Sequence, residues 1–141
     1  MSEPRAADVE TRICELVFPS DTNHLGTLHG GTLMSWMDKA AGIAGLRRAG
    51  ATAVVTAAVE RLEFRVPIHG GELVELVARV ESVGRTSMSV LVEARREDPV
   101  SGDRELCTAG TFTMVAIDAQ GRPTPVRWTA RPPRARGDSR S

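Results

Sequence analysis

The sequence predicts an α+β fold in which a curled antiparallel sheet of about five strands wraps one long central helix. Three observations carry this. Five segments have strand character, one has helix character, and the helical one is apolar nearly all round, so most of its circumference must be covered. One strand, then that helix, then a run of strands leaves a sheet as the cover.

Each element follows from its residues. From Arg12 to Phe18 an imperfect apolar alternation runs into Pro19, the mark of a short strand stopped by a residue without an N–H. Thr32 to Leu46 holds no proline and only two charges; Arg47 and Arg48 then suit a last helical turn, and Gly50 suits its close. Ala53 to Ile68 is a long β-branched run, separated from the next strand by His69-Gly70-Gly71. In that next strand Val74, Leu76, Ala78 and Val80 share one face, opposite Glu75, Arg79 and Glu81. Ser87 to Arg96 repeats the pattern with Met88, Val90, Val92 and Ala94 inward. Glu105 to Asp118 is mostly uncharged, as suits a strand covered on both faces. Trp36 and Met37 are core candidates on the helix, and His24 and His69 read as loop histidines.

With 141 residues, 41% of them hydrophobic and 26% charged, the chain has the size and mix of one globular domain. Its longest uncharged run, Thr22 to Met37, includes Asn23, His24 and His29 and falls short of the roughly 20 apolar residues that span a membrane. The first residues lack the basic start and apolar stretch of a secretory signal. Cys14 and Cys107 have no CxxC spacing and no histidine at zinc-ligand spacing. We therefore expect reduced thiols, no metal and a cytoplasmic protein. Charge is uneven, since residues 1 to 120 carry 12 Lys+Arg against 17 Asp+Glu while the last 21 carry six arginines and one aspartate. The expected organisation is a flexible N-terminus (1–10), a folded domain (11–127) and a disordered Arg/Pro-rich tail (128–141). A basic tail could meet nucleic acid or phosphate. A solubilising tail explains it as well, and we expect no nucleic-acid and no membrane partner.

Asp38 most needs explaining, because it sits in the apolar helix. It is either paired, exposed with Lys39 at the edge of that helix, or functional, and burial without a partner would raise its pKa. The loop from Asp21 to Gly31 leads into the same helix. Its two adjacent glycines, Gly30 and Gly31, leave backbone N–H groups unshielded at a helix start, an oxyanion-binding arrangement in prospect. A tight loop-to-helix turn would need the same glycines.

Five stretches then carry a resemblance: DTNHLGTLHGG (21–31), MDKAAGIAG (37–45), VVTAAVERLEF (54–64), GRTSMSVLVE (84–93) and FTMVAIDAQGRPTPV (112–126). In this order and spacing the chain resembles the hotdog-fold acyl-CoA thioesterases, in the branch with the bacterial YciA-type and brain-type cytosolic enzymes, over residues 12 to 126. The resemblance implies an acyl-CoA hydrolase with Asp38 as general base toward water or as nucleophile on the thioester carbonyl. It implies that Asn23 positions the water or thioester, that the Gly30 N–H is the oxyanion donor, and that His29 flanks it. Substrate binding falls to Gly31, Thr56, Arg65 and the Gly84-Arg85-Thr86-Ser87 turn, the turn lying near the nucleotide and pantetheine. No cofactor is implied, since CoA is part of the substrate. The resemblance further implies a homodimer with shared active sites, with a trimer of dimers as an extension. Two alternatives stay open: an acyl-CoA-binding protein without turnover, and a hotdog hydratase or dehydratase with His29 as base.

Overall fold

A computed structural model describes residues 10–50 and 53–127. The first strand, β1 (Thr11–Leu16), stops short of Pro19, which opens a single 3-10 turn, Pro19–Asp21. The helix α1 spans Gly30–Ala49, starting two residues before the expected Thr32. His29 is its N-cap with ψ 133°, so both glycines enter the first turn. Gly50 closes it in the left-handed region at φ 62°, its N–H donating to the Leu46 carbonyl at 3.3 Å, as the sequence suggested.

Four strands follow, β2 (Ala53–Phe64), β3 (Leu73–Val83), β4 (Ser87–Glu97) and β5 (Arg104–Ile117). All pair antiparallel in the order β1-β3-β4-β5-β2, which leaves β1 and β2 as edges. The sheet curls round α1 through Val74, Leu76 and Ala78 of β3, Met88, Val90, Val92 and Ala94 of β4, and Phe112, Met114 and Ala116 of β5, all buried. The inward faces expected of β3 and β4 are thus the observed ones. On the helix Met37, Ala40, Ala41 and Ala44 meet them; the alanines let the backbone approach the sheet closely. The curled sheet around one helix is the hotdog arrangement.

Three expectations need correction. The second strand ends at Phe64, not Ile68, because the N–H groups of Arg65 and Val66 both turn to the Cys107 carbonyl and Pro67 has none to offer. β5 is covered on its inward face only; Ala109, Thr111, Thr113 and Val115 on the other face are half-buried, flanked by an outer surface of ion pairs such as Arg96–Glu105 at 2.6 Å. The helix is also not covered all round. Its outward stripe, Gly31, Met34, Ser35, Asp38, Lys39 and Leu46, is exposed, since the sheet reaches only one side of it.

One irregularity shapes the edge strand. Between Glu60 and Glu63 the β2–β5 register shifts, and Arg61 takes a left-handed φ of 56°. The kink lays Leu62 over Gly110, where a Cβ would come within 2.9 Å of the Leu62 side chain.

Candidate active site

The loop before α1 is organised by Asn23. Its carbonyl oxygen accepts from the N–H groups of Leu25 (2.9 Å) and Thr27 (3.2 Å), and its amide group donates to Thr27 Oγ1 at 2.9 Å. Gly26, at φ 78°, makes the turn that these bonds close. The His29 N–H donates to the Asp21 carbonyl, and its side chain caps nothing. The first amides of a helix have no intrahelical acceptor. Gly30 and Gly31 are exposed there without Cβ atoms, so their N–H groups face outward at the positive end of the helix dipole.

A cavity of about 260 Å³ opens beside Gly30, between the start of α1 and the far end of β5. Leu33, Phe64, Val66, Ile68 and Thr108 line it, and Arg65 stands at its edge, exposed and paired with Glu63 at 3.3 Å. Thr108 was not singled out from the sequence. Its signal was there: it is the polar residue on the inward row of β5 that continues through Gly110, Phe112, Met114 and Ala116.

Asp38 lies two turns further along, about 12 Å down the helix axis from Gly30. It is exposed in the single copy, on the flank of the helix that adjoins β2. Its Oδ1 accepts a hydrogen bond of 2.5 Å from Thr56 Oγ1 on β2, so the helix and the edge strand fix the carboxylate together. The surrounding groove carries Gly42, Ile43, Leu46, Val54 and Val55.

The turn Gly84-Arg85-Thr86-Ser87 lies elsewhere. Ser87 pairs with Val115, the Ala116 N–H donates to the Thr86 carbonyl, and the Val126 N–H donates to that of Arg85, which ties the turn to the end of β5 remote from Thr108. In one copy, then, the predicted residues form three groups: Asn23, His29, Gly30 and Gly31 with Arg65 at one end, Asp38 with Thr56 midway, and the 84–87 turn at the other end. Among the described residues no group of three or more His, Cys, Asp or Glu side chains is placed to hold a metal, and no helix is long and apolar enough to cross a membrane.

The helix thus opens on exposed glycine amides, carries a carboxylate on its flank and is wrapped on its other side by the curled sheet. Residues 25–102 match the model of the Thioesterase superfamily. The chain is 39% identical over 125 residues to the uncharacterized acyl-CoA thioester hydrolase YkhA of Bacillus subtilis, covering 83% of this chain and 72% of that one. An acyl-CoA hydrolase of Staphylococcus aureus, solved in complex with butyryl coenzyme A, coenzyme A and coenzyme A disulfide, superposes with a TM-score of 0.78 at 38% identity, over 83% of this chain and 71% of that one. Variants of that enzyme with an asparagine, a threonine or an aspartate replaced by alanine have also been solved. An apo-hexameric acyl-CoA thioesterase gives a TM-score of 0.82 at 36% identity, over 89% of this chain and 80% of that one. The chain belongs to the Thioesterase superfamily.

Proposed function

We propose that this chain hydrolyses acyl-CoA to a free carboxylic acid and CoA, in active sites built by two copies. The observation that carries the reading is the placement of Asp38: an exposed carboxylate, oriented by Thr56, on a largely apolar helix face beside an unpaired β2 edge. The distance along the helix is too long for Asp38 to serve the Gly30 amide of its own copy. Two β2 edges paired antiparallel would set Asp38 of one copy opposite Asn23, His29 and Gly30 of the other, and would carry the 84–87 turn to the same place.

The chemistry then runs in order. Asp38 takes a proton from a water whose oxygen adds to the thioester carbonyl, or its carboxylate attacks that carbonyl itself and forms a mixed anhydride that water then hydrolyses. Negative charge grows on the carbonyl oxygen, which the Gly30 N–H stabilises, and the C–S bond breaks with CoA leaving as a thiolate that takes a proton from Asp38 on the water route or from solvent on the direct route. Asn23 positions the water or the thioester. Arg65 and Arg85, with the Thr86 and Ser87 hydroxyls, suit the phosphates and pantetheine of CoA. The reaction asks for no cofactor. The spacing of two Staphylococcus aureus variants supports the roles of Asn23 and Asp38: the asparagine and aspartate replaced there are fifteen residues apart, as Asn23 and Asp38 are. The hexameric relative makes a trimer of such dimers the natural larger assembly. Free thiols at Cys14 and Cys107 accord with a cytoplasmic setting.

The test is thiol release from short, medium, long and aromatic acyl-CoAs, with Asp38→Ala and Asn23→Ala beside the wild type. Release that collapses in Asp38→Ala is the expected result. Undiminished release in that variant overturns the assignment of Asp38, and binding without any turnover replaces the enzyme with an acyl-CoA sensor.

A further inference from the structure

We infer that the cavity beside Gly30 receives the acyl group, and that Thr108 makes it select acyl chains bearing an oxygen substituent, hydroxy or oxo, over plain hydrocarbon chains of the same length. The inference rests on the hydrolase reading and adds the substrate class. Thr108 is 1% exposed, and its Oγ1 is the sole buried side-chain nitrogen or oxygen among the described residues without a hydrogen-bond partner. Buried hydroxyls are ordinarily satisfied, so an orphan lining a cavity points to a group that binds there.

The other polar side chains of the cavity are committed. Thr27 Oγ1 is engaged by Asn23, and the Arg65 head group lies in solvent with Glu63. Around Thr108 the side-chain walls are Leu33, Phe64, Val66 and Ile68, which suit a hydrocarbon chain. A thioester with its carbonyl oxygen at the Gly30 amide has its acyl chain at the mouth of this cavity. The volume, about 260 Å³, is below the usual ligand-pocket range and favours a short chain. A threonine hydroxyl can donate to an oxo group and can donate to or accept from a hydroxyl.

The experiment compares kcat/KM for butyryl-CoA with that for each enantiomer of 3-hydroxybutyryl-CoA, and for acetoacetyl-CoA, in the wild type, Thr108→Val and Thr108→Ser. One well-made hydrogen bond corresponds to about a ten-fold preference. The wild type is expected to favour an oxygenated ester by about that factor or more, Thr108→Ser to keep the preference, and Thr108→Val to lose or reverse it. The valine variant, which removes the orphan hydroxyl without changing shape, should melt no lower than the wild type in the absence of ligand. A wild type that favours butyryl-CoA, or a preference equal in wild type and Thr108→Val, overturns the inference while leaving the hydrolase intact. If none of these esters is turned over, the hydrolase reading falls only when the longer and aromatic acyl-CoAs are also inert, and calorimetric binding of the same esters to wild type and Thr108→Val still decides the role of Thr108.

Discussion

At the scale of single residues, the pairing of Asp38 with Thr56 is what turns an exposed acid into a directed one. Asp38→Asn keeps size and exposure but cannot take a proton, so kcat should fall by about 100- to 10,000-fold with an unchanged circular dichroism spectrum; acyl-CoA turnover in single-substrate assays measures it. Thr56→Val should act through the same carboxylate, with Thr56→Ser restoring much of what valine loses. The two thiols differ as plainly. Cys107 is buried on β5 and Cys14 exposed on β1, and desolvation raises both pKa values, with Glu97 and Glu75 adding to the rise at Cys14. Both therefore stay protonated at neutral pH, and thiolate appears only as pH climbs past the raised values. A disulfide-exchange reagent should titrate one thiol per native chain, faster at alkaline pH, and a second only after denaturation; two in the native state would contradict the burial of Cys107. Residue identity was legible in the sequence for Asp38, where a charge broke an apolar pattern. Thr108 broke a pattern equally well but passed unnoticed, because threonine is common in strands and a strand's inward row becomes visible only when its neighbours fix the register.

At the scale of elements, β3 and β4 were readable because one face of each is wet, and alternation then reports direction. The ends of β2 and the cover of α1 were not, since both depend on partners distant in sequence: the Cys107 carbonyl that draws off the N–H groups of Arg65 and Val66, and whatever meets the exposed stripe of the helix. The bulge in β2 shows the same dependence. Leu62 can lie across β5 only because Gly110 has no side chain. Gly110→Ala should cost about 1–3 kcal/mol by overpacking, and Leu62→Ala in the same chain should recover part of it; equilibrium denaturation of the single and double variants reads the coupling.

At the scale of the whole molecule, a helix half uncovered beside an unpaired edge leaves Met34, Leu46 and Val55 exposed together. Val55→Asp should shift sedimentation toward monomer and take activity with it, although Val55 lies outside the reacting groups. Wild-type specific activity should likewise fall on dilution through the dimer dissociation range, and a value independent of concentration would break the link between assembly and catalysis. The order of elements along the chain already implied the curled sheet, whereas the proposed union of Asp38 with the Gly30 amide could not be read from one chain, because it would be a property of two.

The kink at Arg61 bears on this in another way. A straight strand of this length with an open edge is a template for endless stacking, each new chain exposing the edge that recruits the next. Arg61 at φ 56° bends that edge and breaks its ladder, and Glu60, Glu63 and Arg65 add charges on either side. Such an edge offers a flat neighbour little to match, while in the proposed dimer a second copy bearing the same bend would fit it, and association would close at a finite assembly instead of growing into fibrils.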